Sequence, residues 1–406
     1  MLRVLHTGDW HIGQTLRGYA RDGEHRAVLD GVVRIAVERE VDLLVVAGDV
    51  YDGQNPSGPS QRLFYDTLAS LHQLRPDTRV VIVAGNHDAA SRLEAPSPML
   101  EAFGVQVVGS IRRRDGSIDA GRHLVPVKVR GEVAAHVLAV SYPTAACLPP
   151  LATEGDGSPV ARAVRSLYDE LWTSTRPRHG GVPLVVTGHL HVAGGLESEG
   201  AERRILVGGA HAVAHDVFPS EAAYVALGHL HRAQRVGRDV VRYSGSLIPL
   251  SATEMSYDHG VTLVTLDGGA PNMEHVPIDR PVGFLRVPTH GDTTVADLGD
   301  HLVALGLPTD LPHDQRPFIQ VRLARDGLPP GFREEVDRIA ERFPVRVVEV
   351  RLPPLPDVVR EIARVATTRL ADIDPVKVFE AAFERKLGHA PEPGHHHVFQ
   401  LLREEI

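Results

Sequence analysis

Five short apolar runs in this chain end alike, each giving way to a glycine and then to a residue able to bind a metal ion. The runs Leu2–Thr7, Asp42–Ala47, Arg79–Ala84, Pro183–Thr187 and Ala223–Leu227 are rich in Val, Ile and Leu and read as buried strands. They lead into Gly8-Asp9-Trp10-His11, Gly48-Asp49, Gly85-Asn86-His87-Asp88, Gly188-His189 and Gly228-His229-Leu230-His231. Glycine has no side chain, so the chain turns sharply off the strand and its backbone comes close to whatever is bound there. In open α/β sheets, ligands gather at the carboxyl ends of the strands, and strand ends with this chemistry at one edge converge. Between the second and third runs, Leu63, Phe64, Leu68 and Leu71 follow helical spacing and predict a helix over Pro59–Leu74, with Ser57 or Ser60 as its cap. The pattern predicts a layered α/β domain.

The residue types narrow what is bound. Carboxylate, imidazole and amide oxygen form a mixed hard and borderline set, suited to Mn²⁺ or Fe²⁺ as well as Zn²⁺. The single cysteine, Cys147, lies elsewhere; it excludes an internal disulfide framework and suits a reducing cytoplasm. Asp9, His11, Asp49, Asn86, His189, His229 and His231 are too many ligands for one ion. Two ions roughly 3.5–4 Å apart share a carboxylate, and Asp49, alone behind its strand, is the natural bridge. Two divalent ions balanced by Asp9 and Asp49 keep a surplus of positive charge that favours phosphate, and Asn86 adds an oxygen without reducing it. Such a site also needs a proton donor for the leaving oxygen. Imidazole titrates near neutral pH, and His87, adjacent to a ligand, takes that role. Asp88 either orients His87 or caps the helix that follows.

With 406 residues the chain has room for two or three domains. From Pro281 its character changes: Phe284–Val287, Phe318–Leu323 and Val345–Arg351 read as strands, and Val295–Leu305 and Phe332–Arg342 as helices. Pro353-Pro354-Leu355-Pro356 reads as a stiff linker. The tail beyond it is helical, with Phe379, Ala382, Phe383 and Leu387 on one face and Val398, Phe399, Leu402 and Ile406 on another. No apolar run reaches membrane-spanning length, and the N-terminus reads as a strand rather than a signal peptide. The net charge of −9 speaks mildly against a nucleic-acid partner, although bound divalent cations or local arginines reverse the field where it matters. Arg17, Arg21 and Arg92, close to the metal-binding turns, are candidates for phosphate contacts. Arg112-Arg113-Arg114 reads as a solvated hairpin loop ending at Asp115-Gly116, and His395-His396-His397 as a solvated helix start.

In order, the five elements resemble the calcineurin-like metallophosphoesterase superfamily, whose pattern is D-x-H, G-D, G-N-H-D/E, a lone H and G-H-x-H. Thr7-Gly8-Asp9-Trp10-His11-Ile12-Gly13, the stretch from Tyr224 to Gln234, Tyr243-Ser244-Gly245-Ser246-Leu247-Ile248-Pro249-Leu250 and Val207-Gly208-Gly209 are similar to the SbcD family of bacterial nuclease subunits. That resemblance implies a β-sandwich flanked by helices over residues 1–280, an α+β DNA-capping domain over 281–352 and a helical ATPase-binding segment over 357–406. It places Asp9, His11, Asp49 and His231 on a first metal, and Asp49, Asn86, His189 and His229 on a second, with His87 catalytic and manganese as the ion. The implied activity is two-metal hydrolysis of DNA phosphodiesters: exonuclease action on duplex ends, and endonuclease action on hairpins and single strands. The implied setting is a cytoplasmic DNA repair complex, as a homodimer with an SbcC-type, SMC-like ATPase. One departure is Gly188-His189-Leu190-His191, where the family has a single histidine; His189 holds the family position and His191 reads as a bystander. Two other readings are a phosphoesterase of small substrates, against which the added C-terminal segments speak, and a DNA-tethering scaffold with a dead site, against which the intact ligand set speaks.

Overall fold

Alternation within the strands decides the layering. Both faces of β2 (Leu43–Ala47) are buried: Leu43 and Val45 join one apolar cluster, Leu44 and Val46 another. A strand with two buried faces needs a layer on each side, which explains the unbroken apolar runs in the sequence. The computed structural model describes residues 1–114, 117–151, 158–198, 212–353, 375–387, 390–392, 394–396 and 399. They divide into two compact units, Met1–Arg351 and Leu352–Ile406.

In the first unit β1 (Leu2–Thr7), β2, β3 (Arg79–Val83) and β4 (Val105–Val108) run parallel. After a two-stranded hairpin of β5 (Arg113–Arg114) and β6 (Ser117–Ile118), a second sheet forms from β7 (Leu124–Val129), β8 (Glu132–Ala139), β9 (Leu184–His189), β10 (Ala222–Gly228), β11 (Gln234–Val236) and β12 (Arg238–Tyr243), in the order β11-β12-β10-β9-β8-β7. The chain then returns to the first sheet through β13 (Gly260–Leu266), antiparallel to β1, and β14 (Asn272–Pro277), giving the order β14-β13-β1-β2-β3-β4. The inner faces pack on each other through Val4, Leu43, Val45, Val81, Val137, Val185 and Ala226. Outside the first sheet lie α1 (Asp22–Glu38) and α2 (Gly58–Leu74), through Leu29, Val32, Leu63 and Phe64; outside the second lies the helix Pro159–Thr175, through Leu167, Tyr168 and Leu171. The result is the β-sandwich flanked by helices that the resemblance implied. Ser57, not Ser60, caps α2, its side chain accepting the Ser60 N–H at 3.2 Å.

A three-stranded parallel sheet of β15 (Phe284–Val287), β16 (Phe318–Arg322) and β17 (Arg346–Arg351) follows, with the helices Leu298–Val303 and Phe332–Ala340 between its strands. The first of these helices starts later than its apolar pattern predicts. The Thr294 hydroxyl accepts the Asp297 N–H at 3.2 Å, and this local turn competes with the helix up to that point. Phe318 packs with Leu16, Val282 and Phe284, and the Arg346 guanidinium lies 3.8 Å from its ring centroid. In the second unit the helix Pro375–Leu387 carries Phe379, whose ring stacks on Phe399 at 4.4 Å. The Pro354–Pro356 part of the expected linker, Val207-Gly208-Gly209, Asp115-Gly116, and Val398, Leu402 and Ile406 lie outside the described residues.

Candidate metal centre

The turns at the strand ends have unusual backbone. Asp9, His11, Asp49 and His229 have φ of 51°, 45°, 47° and 105°, a region side-chain-bearing residues avoid. Each such residue costs about 1–3 kcal/mol and persists only where its surroundings over-determine it. Here they do. Asp9 N–H donates to Gly48 C=O, and His11 N–H to Asp49 C=O, both at 3.0 Å. The Asp9 carboxylate accepts the His229 N–H at 2.9 Å, and Asp49 Oδ1 accepts the His87 N–H at 2.7 Å. Two glycines make the approach possible. A Cβ on Gly48 would lie 2.3 Å from His189 Nδ1, and one on Gly228 1.9 Å from Ala47 O.

All seven candidate ligands come together. Asp49 Oδ2 sits 3.6 Å from His11 Nε2 and 3.2 Å from His189 Nε2, between one histidine of each sheet. Asn86 Oδ1 lies 2.9 Å from His189 Nε2 and 3.0 Å from His229 Nδ1. The far nitrogens of three rings are anchored: His189 Nδ1 donates to Ala47 C=O at 2.8 Å, His231 Nδ1 to Glu254 at 2.9 Å, and His11 Nδ1 to Asp52 at 3.2 Å. Each anchor fixes a tautomer whose lone pair is on Nε2, the arrangement of metal-binding histidines backed by carboxylates or carbonyls. Asp9, His11 and His231 form one group able to hold a cation, and Asp9, Asp49 and His189 another.

A cation is what this donor set lacks. With His189 neutral, its Nε2, Asn86 Oδ1 and Asp49 Oδ2 are acceptors facing acceptors, and His11 Nε2 is buried with no hydrogen-bond partner. Burial pushes the Asp9 carboxyl up. Asp49 is buried as well, yet His189, His11 and His87 around it hold it well below the usual carboxylate range. Burial works against charge on His189, but Asp49 and Asp9 raise it to about 9. Burial, then repulsion from His189, pushes His229 well below the usual imidazole range. The protein alone balances Asp49 with a proton on His189, and metal binding displaces such protons. The residues therefore fit divalent metal ions.

The His87 Nδ1–H donates to Asp52 C=O at 2.8 Å, and the ring stands edge-on to His11 at 4.7 Å. Asp88 does neither of the jobs expected of it. Its carboxylate accepts the backbone N–H groups of Gly85, Tyr51 and Val50 at 2.9, 3.0 and 3.2 Å, joining two ligand-bearing turns. Burial, then the nearby Asp49 charge, raises it to about 6. Arg21 is not available for phosphate: it is buried, paired with Glu24 at 2.9 Å and donating to Pro249 C=O at 2.7 Å. Arg17 pairs with Asp337 at 2.7 Å, Arg92 with Asn55, Arg112 with Glu94 and Arg113 with Glu170. His191 lies 3.4 Å from Glu197, with its ring 6.3 Å from that of His229. Sequence reasoning missed Glu254, Asp52 and His6, which bonds Tyr224 at 2.9 Å and Leu227 C=O at 3.1 Å. Asp52, three positions after Asp49 in the same turn, had a local signal; Glu254 and His6 had none.

The calcineurin-like phosphoesterase family model matches residues 2–233, and the type 5 capsule protein repressor C-terminal domain model matches residues 282–386. The protein named as the SbcD component of nuclease SbcCD in Rhodobacter capsulatus is 44% identical over 389 residues, 94% of this chain and 94% of its own. Its Bacillus subtilis namesake is 36% identical over 275 residues, covering 66% of this chain and 67% of its own. The Escherichia coli K12 namesake is 29% identical over 363 residues, covering 86% and 85%.

Proposed function

The chain belongs to the calcineurin-like phosphoesterases, within the SbcD family of nucleases, and from that membership we propose how it hydrolyses phosphodiesters and on what. It is a metal-dependent nuclease subunit of the SbcCD type. Two divalent ions, Mn²⁺ by the resemblance to the family, would sit at the strand edge. Asp9, His11, Asp49 and His231 would hold the first; Asp49, Asn86, His189 and His229 would hold the second. The observation that carries this is Asp49 Oδ2, within 3.6 Å of His11 Nε2 and 3.2 Å of His189 Nε2, where a shared carboxylate belongs. When bound, the ions polarise the phosphorus centre and supply a nucleophile from water.

The chain's own residues do the rest. Asp88 fixes the turns that carry Asp49 and Asn86. Asp52 anchors His11 through its carboxylate and His87 through its carbonyl. With Nδ1 so held, His87 delivers a proton from Nε2 to the leaving oxygen. The substrates are DNA ends and hairpins, cleaved as a duplex exonuclease and as a single-strand and hairpin endonuclease. The three-stranded sheet supports an assignment of residues 281–352 to DNA capping, beside a catalytic domain over 1–280. Residues 357–406 bind an SMC-like ATPase of the SbcC type, and the protein works as a homodimer in the cytoplasm. Among the described residues no helix is long and apolar enough to cross a membrane.

Anomalous diffraction at the manganese edge tests the centre: two peaks flanking Asp49 are expected, and a single peak, or peaks remote from Asp49, would refute it. Mn²⁺-dependent cleavage of linear duplex DNA, set beside hydrolysis of a small bis-phosphodiester, tests the substrate. Activity confined to the small ester would remove the nuclease reading.

A further inference from the structure

Where the end of β12 faces the β13–β14 hairpin, a cavity of about 380 Å³ is walled by Arg232, Arg242, Ser256, Tyr257 and His275. That wall begins one residue beyond the candidate ligand His231, so the cavity adjoins the metal edge. The chain has 52 acidic against 43 basic side chains, and carboxylates reach several of its arginines: Arg3, Arg17, Arg39 and Arg113 each hold one at 2.6–2.7 Å. Among the described residues Arg232 and Arg242 have no carboxylate within ion-pair distance. Arg232 lies over the Tyr257 ring at 5.6 Å. The Arg242 Nε donates to the Asp239 carbonyl at 3.1 Å, which leaves its terminal amino groups without a counter-ion. The acidic wall residue, Asp258, is close enough to Arg280 to act on it electrostatically.

Uncompensated cations beside an aromatic face are the chemistry of single-strand nucleic-acid binding, where arginines take phosphates and rings take bases. The volume lies at the small end of ligand pockets, about 300–1,000 Å³, and suits one nucleotide rather than a base-paired stack. We propose that this cavity seats one unpaired nucleotide of the strand being cut, its phosphate on Arg232 and Arg242 and its base against Tyr257. This rests on the nuclease reading and deepens it: a strand splayed at an end or hairpin reaches the cavity, and a continuous duplex does not.

The test compares the full chain loaded with Mn²⁺ with Arg232→Ala/Arg242→Ala and with Tyr257→Ala, on a single-stranded oligodeoxynucleotide and on bis(4-nitrophenyl) phosphate. In the arginine variant, KM for the oligonucleotide is expected to rise about tenfold, and the salt dependence of log KM to fall by about 0.7 per lost phosphate contact. Tyr257→Ala is expected to raise KM about fivefold or more with the salt slope unchanged, and hydrolysis of the small ester should stay at the wild-type rate in both. An unchanged oligonucleotide KM in both variants, or an equal loss on the small ester, would overturn the proposal. Wild-type hydrolysis of the small ester without any cleavage of the oligonucleotide would instead remove the nuclease reading itself, so the two failures are distinguishable.

Discussion

The first sheet delivers Asp9, His11, Asp49 and Asn86 to the candidate metal edge, and the second delivers His189, His229 and His231. Both carboxylates and the amide oxygen come from the first; the second contributes only imidazoles. The two sets are also held differently. The ligands of the first sheet stand beyond their strand ends, three of them in left-handed backbone, bound to one another's turns by Asp9 N–H to Gly48 and by Asp88 to Gly85, Val50 and Tyr51. His189 lies within β9, and Ala47 C=O of the first sheet sets its tautomer; the His229 N–H points to Asp9. The first sheet assembles its half locally and carries the charge. The second half acquires its aim only when the sheets pack, so sheet-to-sheet spacing is itself part of the candidate site's geometry.

Six substitutions test this division, from the largest expected effect to the smallest. Asp49→Asn removes the shared charge of the first sheet. The expected loss in kcat is about 10⁴-fold, some 5 kcal/mol, with fewer than two Mn²⁺ ions per chain by elemental analysis. If His189→Gln lost more than Asp49→Asn, the charge would not reside chiefly in the first sheet. His87→Gln is expected to lower kcat about 10³-fold, within the range for general acid catalysis, while the ions stay bound. Loss of metal together with activity would make His87 a ligand instead of a proton donor.

Gly228→Ala attacks the seam, since its Cβ would meet Ala47 O at 1.9 Å. A destabilisation of about 3 kcal/mol is expected from chemical denaturation; an unchanged midpoint would show that the sheets can shift apart without penalty. His6 bridges the same seam, and burial lowers it to about 3. The unfolded chain takes up that proton near pH 6.5 and the folded chain does not. This stability is therefore complete above pH 6.5 and declines as pH falls toward 3, by up to about 1.4 kcal/mol per unit. Denaturation in EDTA at pH 7 and pH 5 should show a smaller acid loss in His6→Gln than in the wild type; equal losses would assign the acid sensitivity elsewhere. Glu254→Gln leaves every ligand in place and removes the carboxylate behind His231. An affinity loss for Mn²⁺ of about tenfold is expected by competition with a chelator, and wild-type affinity would show that His231 is aimed without it.

Much of this was legible in the residues because the signals are short-range. Apolar run, glycine and candidate ligand stand within a dozen positions, so the strand ends at Thr7 and Ala47 could be read directly, and the third, expected to end at Ala84, ends at Val83. Asp88 and Arg21 were misread for the opposite reason. The partners of Asp88 include Val50 and Tyr51, and those of Arg21 include Pro249, all remote in sequence.

By itself the sequence determined which side chains offer lone pairs and which strand each one follows, because residue type and two-residue alternation are properties of local chain. Only the tertiary structure decided which nitrogen of each ring faces inward and that His6 joins the sheets. Those outcomes depend on hydrogen bonds such as His189 to Ala47 and His6 to Leu227, between residues 142 and 221 positions apart. Such contacts exist only after two sheets have buried their inner faces against each other, and no local preference encodes the distance at which they come to rest.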